Sequence, residues 1–166
     1  MTGYQIRPAS GDDAAAIAQI YSHYILHTTI SFETEAVDGA EIAQRMQDVQ
    51  ACGLPWLVLC AEGQVQGWAY ASRWRTRCAY RGAVELSVYL APQVCGRGWG
   101  EALYRALLQQ VRAAGLHTAI GGIALPNPAS VALHEKLGMR KVAHFEQVGR
   151  KFEQYIDVGY WQMVWE

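Results

Sequence analysis

Apolar positions along this chain of 166 residues follow two periods, one typical of helices and one typical of strands. A short strand is predicted over residues 4–7. Asp12 and Asp13 then suit a helix start, and one helix face is predicted by residues at i, i+3, i+4 and i+7, namely Ile17, Ile20, Tyr21 and Tyr24. Asp38 is a typical N-cap and predicts a second helix that runs to about Gln50.

Three strands are predicted next, over 56–61, 65–72 and 84–90, with a hairpin turn between the first two. A glycine-rich turn then leads to a helix from about Gly100 to about Ala114. The rest of the chain predicts a strand over 118–124, a helix opened by Asn127 and ended by Gly138, and two final strands joined near Gly149-Arg150. The order β-α-α-β-β-β-α-β-α-β-β predicts an α/β fold with a mixed sheet and helices on both faces, in a single domain over 1–166.

Composition and charge exclude several classes of function. The chain is 51% hydrophobic with a net charge of −1, so nothing in its charge favours nucleic acid or an anionic membrane as partner. No apolar run is long enough to span a bilayer, and the start lacks the apolar core of a signal peptide. The four cysteines show no metal-binding spacing, so we expect free thiols, a cytoplasmic location and no metal site.

The glycine turn after the strand over 84–90 is the first candidate site. Gly96, Gly98 and Gly100 alternate, so backbone N–H groups can point at one anion, and the following helix start adds further free donors. A dinucleotide-binding fingerprint would follow the first strand of the sheet, whereas this turn follows the fourth. The pattern predicts a cradle for a phosphate-bearing ligand, with an ordinary strand-to-helix connection as the alternative.

Glu85 lies on the strand that leads into this turn. Strand alternation places Glu85 and Ser87 on one face, and Val84, Leu86 and Val88 on the other. A carboxylate on a largely buried strand is desolvated, which raises its pKa toward the range useful for a general base. Glu85 is therefore a candidate base, and a structural glutamate is the alternative.

Two segments resemble the cofactor-binding motifs of the GNAT superfamily of N-acetyltransferases. Residues 95–100, Cys-Gly-Arg-Gly-Trp-Gly, resemble its acetyl-CoA pyrophosphate loop, Q/R-x-x-G-x-G/A, and 127–130 with 133–139 resemble its second cofactor segment. One departure is Cys95, which stands where the loop normally has Gln or Arg. Within the superfamily the chain is most similar to the phosphinothricin and methionine sulfoximine N-acetyltransferases, through the segments 31–32, 74–75, 79–80, 85–89, 148–152 and Asp157.

The resemblance implies a GNAT-like fold with a mostly antiparallel sheet, and transfer of an acetyl group from acetyl-CoA to the α-amino group of a small amino-acid-like substrate by direct attack in a ternary complex. It implies Glu85 as catalytic base, His134 as a proton donor to CoA, and a homodimer. Residues 88–90 would present free backbone groups to the pantetheine arm, with a fully paired strand as the alternative. The implied cofactor-binding residues are Val88, Tyr89, Leu90, Gly96, Arg97, Gly98, Trp99, Gly100, Glu101, Asn127 and Ser130.

The acceptor amine is expected to meet Phe32, Arg75, Tyr80 and Glu85, because an arginine can pair with a carboxylate in bidentate fashion and aromatic rings can enclose a short side chain. Several alternatives stay open. One alternative is that Asn127 and Ser130 cap the helix and do not contact the cofactor. Others are that His134 has a structural role and that Arg75 belongs to a subunit interface. The acceptor can be another amino acid, a polyamine or a protein N-terminus, and a module that binds acetyl-CoA without turnover is the non-enzymatic alternative.

Overall fold

A computed structural model describes residues 3–166, so the first two positions of the predicted domain lie outside the described residues. The elements follow the predicted order. The strands are β1 (Tyr4–Pro8), β2 (Trp56–Ala61), β3 (Gln64–Arg73), β4 (Ala83–Leu90), β5 (Thr118–Leu125), β6 (Arg140–Lys151) and β7 (Gln154–Val164). The helices of more than one turn are α1 (Ala14–His27), α2 (Gly39–Ala51), α3 (Trp99–Ala113) and α4 (Pro128–Lys136).

All seven strands form one sheet in the order β1-β2-β3-β4-β5-β7-β6. Neighbouring strands run antiparallel, except β4 and β5, which are parallel. The predicted mixed, mostly antiparallel sheet flanked by helices is therefore confirmed. The single parallel pair lies in the middle of the sheet, and its first strand, β4, leads to the glycine turn.

The two faces of the sheet carry separate apolar clusters. On one face, α1 and α2 bury Ile17, Ile42 and Met46 in the cluster that contains Trp68 of β3. On the other face, the stripe of α3 joins Val84 and Leu86 of β4, and that stripe consists of Leu103, Leu107 and Val111. Burial of these side chains stabilises both layers, at roughly 1.5–3 kcal/mol for each large aliphatic residue. In the described part of the chain, no helix is long and apolar enough to cross a membrane.

The final hairpin differs from the sequence prediction. β6 runs through Gly149 and Arg150 to Lys151, and the turn lies at Phe152 and Glu153, both with positive φ (50° and 62°). The predicted turn at Gly149-Arg150 is therefore wrong. The register between β6 and β7 shifts between Phe145 and Gly149, so a bulge occupies the region where glycine suggested a turn.

Side-chain hydrogen bonds hold the connection between α1 and α2, which has no regular structure. Arg45 of α2 binds Glu33 in bidentate fashion at 2.7 and 3.0 Å, and these bonds hold the pKa of Glu33 below its usual range. Tyr21 of α1 donates to the same carboxylate. From the final hairpin, the buried Lys151 Nζ donates to the Ser31 carbonyl at 2.6 Å. These contacts fix the backbone on both sides of Phe32.

Candidate active site

β4 and β5 separate soon after they begin. They pair only over 83–85 and 118–120, with Glu85 opposite Ile120 in the last pair. Beyond that pair, β4 is bonded only to β3. An opening between two central strands therefore exposes backbone groups in the interior of the sheet, as the resemblance led us to expect.

The register with β3 decides which backbone groups of β4 face this opening. Ala91 N–H donates to Gln66 O, and Trp74 N–H donates to Ala83 O. In an antiparallel pair these bonds recur at every second residue, so the N–H and C=O of Tyr89 point toward Trp68. The expectation that all of 88–90 present free backbone groups is thus corrected. Val88 and Leu90 face the opening, whereas Tyr89 contributes its side chain.

Tyr24 of α1 occupies one of these groups. Its hydroxyl donates to the Leu90 carbonyl at 2.5 Å, and its ring packs on that of Tyr89 with centroids 5.3 Å apart. Of the backbone groups of Val88 and Leu90 that face the opening, the Leu90 carbonyl therefore already accepts a hydrogen bond from Tyr24. The sequence pattern used Tyr24 only as a residue on the buried face of α1, so its place in the site was missed.

The opening continues into a cleft of about 410 Å³ whose lining is mainly apolar. It is closed by β4 on one side and by α4 on the other, and the glycine turn lies at its outer end. The lining contains most of the predicted cofactor-binding residues, namely Val88, Tyr89, Leu90, Gly96, Gly98, Gly100, Glu101, Asn127 and Ser130. Arg97 and Trp99 are not among the lining residues. The Trp99 ring is buried in the core, with the Arg97 guanidinium 5.5 Å from its centroid.

The glycine turn has the backbone that the sequence predicts. Gly96 and Gly98 both adopt φ of +79°, a conformation that other residues rarely take, and Gly98 is the N-cap of α3. The first intrahelical bond runs from Ala102 N–H to Gly98 O, so the N–H groups of 99–101 have no partner within the helix. These donors and the helix dipole favour an anion such as a phosphate.

Cys95 precedes these glycines and lines the cleft. Its thiol lies 3.7 Å from the Ala91 carbonyl. The thiol is a weak donor and carries no positive charge, so it cannot replace the charge-assisted bond of an arginine. A phosphate at this turn would therefore depend more heavily on backbone donors.

α4 contributes a capped start and a buried histidine. The Asn127 side chain accepts from Ser130 N–H at 3.2 Å, so the capping alternative holds for Asn127. His134 is 4% exposed, its Nδ1–H donates to the Ser130 carbonyl at 2.7 Å, and its Nε2 accepts from the Tyr104 hydroxyl at 3.0 Å. Burial also lowers the pKa of His134. With both nitrogens bonded inside the protein, a neutral structural role fits His134 better than proton donation to CoA.

Glu85 lies where the opening begins. Its carboxylate reaches across to β5, where an added Cβ on Gly122 would be 3.2 Å from its Oε1. Burial raises the pKa of Glu85 above its usual range, while the positive charge of Arg75 acts in the opposite direction. A half-buried carboxylate with a raised pKa, close to free strand groups, has the properties of a general base.

Aromatic rings surround the approach to Glu85. Arg75 lies over the Trp74 ring at 4.7 Å, Trp74 packs edge-on against Tyr160 of β7 at 5.5 Å, and Phe145 of β6 packs against Tyr160 at 5.8 Å. Burial raises the pKa of Tyr160, the negative charge of Glu85 raises it further, and the positive charge of Arg75 acts in the opposite direction. Tyr160 and Phe145 were missed from the sequence, since only the pairing of the final hairpin places them here.

Phe32 and Tyr80 differ in how well the structure supports their predicted roles. The Phe32 ring lies over Gly149 of β6, where an added Cβ would be 2.4 Å from the ring. Phe32 therefore joins the α1–α2 connection to the final hairpin. Tyr80 lies in a short 3₁₀ turn and is 44% exposed. Among the contacts of the described residues, none joins Tyr80 to Glu85.

The comparison with family models decides the identity. The acetyltransferase (GNAT) domain model matches residues 6–160. The chain belongs to the GNAT acetyltransferase family. It is an acetyl-CoA-dependent N-acetyltransferase, as the resemblance of the glycine turn implied.

Relatives in the GNAT family agree along nearly the whole chain. Phosphinothricin N-acetyltransferase of Streptomyces viridochromogenes is 39% identical over 98% of this chain and 88% of its own length. L-methionine sulfoximine/L-methionine sulfone acetyltransferase of Salmonella typhimurium is 37% identical over 95% and 92%. The structure of a GNAT phosphinothricin acetyltransferase from Sinorhizobium meliloti in complex with AcCoA superposes with a TM-score of 0.95, at 34% identity, over 99% of this chain and 89% of that one.

Proposed function

We propose that this GNAT enzyme acetylates the α-amino group of a small amino acid of the phosphinothricin, methionine sulfoximine or methionine sulfone type. The observation that carries the proposal is the position of Glu85, a half-buried carboxylate beside the opening between β4 and β5. Similarity to enzymes with these names supports the choice of acceptor.

The acetyl donor fits the cleft that leads outward from Glu85. The pantetheine arm would lie along β4 and bond to the groups of Val88 and the Leu90 N–H. The pyrophosphate would lie at Gly96, Gly98 and the free N–H groups that open α3. Two positive-φ glycines and an interior strand edge are the features that suit such a ligand.

The acceptor fits the aromatic approach on the other side of Glu85. Arg75 supplies a guanidinium for the carboxylate of an amino acid, and the rings of Tyr160 and Phe32 enclose the side chain of that amino acid. The half-buried Glu85 takes a proton from the ammonium group, directly or through one water. The amine nitrogen then bonds to the thioester carbonyl carbon and releases its second proton to solvent, the C–S bond breaks, and CoA leaves as the thiolate. The Val88 N–H polarises the carbonyl oxygen.

The decisive experiment compares Glu85→Gln with the wild type and with Glu62→Gln, an exposed glutamate at the tip of the β2–β3 hairpin. We expect Glu85→Gln to bind acetyl-CoA normally in calorimetry and to lose about 10²–10⁴-fold in turnover near neutral pH. Glu62→Gln should match the wild type in both measurements. Unchanged turnover in Glu85→Gln would remove Glu85 from the mechanism.

A screen of acceptors with CoA release as readout tests the substrate. Phosphinothricin, methionine sulfoximine and methionine sulfone are compared with ordinary amino acids, a polyamine and a peptide N-terminus. A preference for the first three supports the proposal, and a preference for any other amine contradicts the proposed acceptor. Acetyl-CoA binding without CoA release for any acceptor would instead indicate a binding module.

We also propose that the enzyme is a homodimer. The final hairpin exposes apolar side chains near the acceptor approach, including Phe145, Val148 and Tyr155, which are 52%, 62% and 64% exposed. Contiguous exposed apolar residues are typical of an interface. Sedimentation should give twice the 18.4 kDa mass of the chain, whereas a single-chain mass would contradict this proposal.

A further inference from the structure

Glu101, in the first turn of α3, has both carboxylate oxygens engaged by cations. Lys136 Nζ of α4 lies 2.5 Å from Oε2, and Arg105 of α3 lies 2.8 Å from Oε1. These hydrogen bonds hold the pKa of Glu101 below its usual range, so the carboxylate is ionised at neutral pH. Its side chain is 24% exposed, against 64% for Lys136. One anion thus joins the start of α3 to the end of α4.

This ion pair lies in the wall of the cleft, at the end where we propose that the phosphates bind. Glu101 and Lys136 both line it, together with Gly96 and Gly98, whereas Arg105 does not. Among the described residues, the Lys136 ammonium has Glu101 as its hydrogen-bond partner, although an ammonium has three donors. A ligand in the cleft can therefore reach Lys136 without moving the backbone.

A carboxylate at this position has the electrostatic partners that a phosphate would have. It faces the positive end of α3 and accepts from two cations. The 3′-phosphate and the pyrophosphate of acetyl-CoA each carry about two negative charges and more acceptor oxygens than a carboxylate, so either competes well for the same ammonium. At the same time, the fixed charge of Glu101 repels the phosphates of an incoming ligand.

We propose that Glu101 holds Lys136 in place of a phosphate, and that a phosphate group of acetyl-CoA takes over Lys136 on binding; this rests on the acetyl-CoA cleft of the proposed function. Lys136 is then a cofactor-binding residue. Glu101 lowers the affinity by competing for it, although its backbone N–H belongs to the phosphate cradle.

Calorimetric titration of acetyl-CoA tests both roles, because they predict opposite signs. Lys136→Gln should weaken binding about tenfold, the loss expected for one charge-assisted hydrogen bond, and Lys136→Arg should recover part of it. Glu101→Gln should tighten binding several-fold. The control is Arg112→Gln, an exposed arginine in the last turn of α3, which should bind like the wild type. Thermal melts check that each variant folds.

Two results would overturn the inference: wild-type affinity in Lys136→Gln, or weaker binding in a folded Glu101→Gln. A wild-type enzyme that fails to bind acetyl-CoA would instead overturn the proposed function, so the two failures are distinguishable.

Acetyl-3′-dephospho-CoA shows which phosphate is involved. If the effect of Lys136→Gln disappears with this ligand, Lys136 binds the 3′-phosphate; if the effect persists, Lys136 binds the pyrophosphate. Either pattern supports the exchange of partners at Lys136.

Discussion

In the proposed mechanism, the ionisation of Glu85 couples catalysis to pH, and the surroundings of its carboxylate determine the direction of the effect. Because burial raises its pKa, the carboxylate is a base only above that raised value. We expect kcat/KM to rise with pH along a limb whose midpoint lies above about 4.3, the ordinary value for glutamate. The limb should be absent in Glu85→Gln, measured with the same acceptor over the same pH range.

The same shift predicts an effect on stability. A folded state with a raised carboxyl pKa binds more protons than the unfolded state between the two pKa values, so stability contributed by Glu85 falls as pH rises through that window. We therefore expect the melting temperature of Glu85→Gln to exceed that of the wild type above the window, and the difference to shrink below it. A difference that does not change with pH would contradict a buried, ionised carboxylate.

Gly121 of β5 tests the packing of the buried histidine. An added Cβ would lie 2.5 Å from His134 Nε2, and the ring is held by bonds at both nitrogens. We expect Gly121→Ala to destabilise the fold by about 1–3 kcal/mol, as overpacking does, in denaturant unfolding. Gly11→Ala, where an added Cβ meets nothing within 4 Å, is the matched control. Equal stability of the two variants would mean that the His134 ring moves freely.

Single residues with strong local signals could be predicted from the sequence. The strand position of Glu85 and the turn at Gly96 and Gly98 were predictable because apolar alternation and glycine spacing are local properties of the sequence. Tyr160 and Gly122 could not be found, since their roles depend on which strand lies beside β5. The backbone of Tyr89 is hydrogen-bonded to β3 because of the register between β3 and β4. That register cannot be predicted from a local sequence pattern.

At the level of elements, the α1–α2 connection and the final hairpin depend on each other. The Lys151 ammonium bonds the Ser31 carbonyl, and the Phe32 ring covers Gly149. Element order and helix bounds were predictable from caps and periodicity. The hairpin turn was not, because Gly149 is required for contact with Phe32 rather than for chain reversal.

Gly149→Ala should change acceptor binding without changing acetyl-CoA binding. The new Cβ would displace the Phe32 ring, which is 43% exposed and can turn outward at little cost in stability. We expect the acceptor KM to rise several-fold, as in Phe32→Ala, with an unchanged acetyl-CoA Kd. A change in the acetyl-CoA Kd instead would show that Phe32 does not act on the acceptor side.

For the whole molecule, the opening between β4 and β5 leaves an unpaired edge inside an otherwise continuous sheet. Amide hydrogen exchange tests the proposal that acetyl-CoA binds along this edge. In the free enzyme the Tyr89 amide is already bonded to β3, while those of Val88 and Leu90 face the opening. Acetyl-CoA should slow exchange at Val88 and Leu90 and leave Tyr89 unchanged. Equal slowing at all three amides would indicate general stiffening of the strand.

Within the sheet, only the backbone pairs over 83–85 and 118–120 join the β1–β4 part to the β5–β7 part, while the core beneath α3 contacts both parts. Glu85 belongs to the last of these pairs and therefore lies where the two parts of the sheet begin to separate. We therefore expect any widening of the opening to displace the far end of β4 most and the Glu85 carboxylate least. On this expectation, a long ligand enters and leaves at the wide end of the opening, while the proposed proton acceptor keeps its position from one turnover to the next.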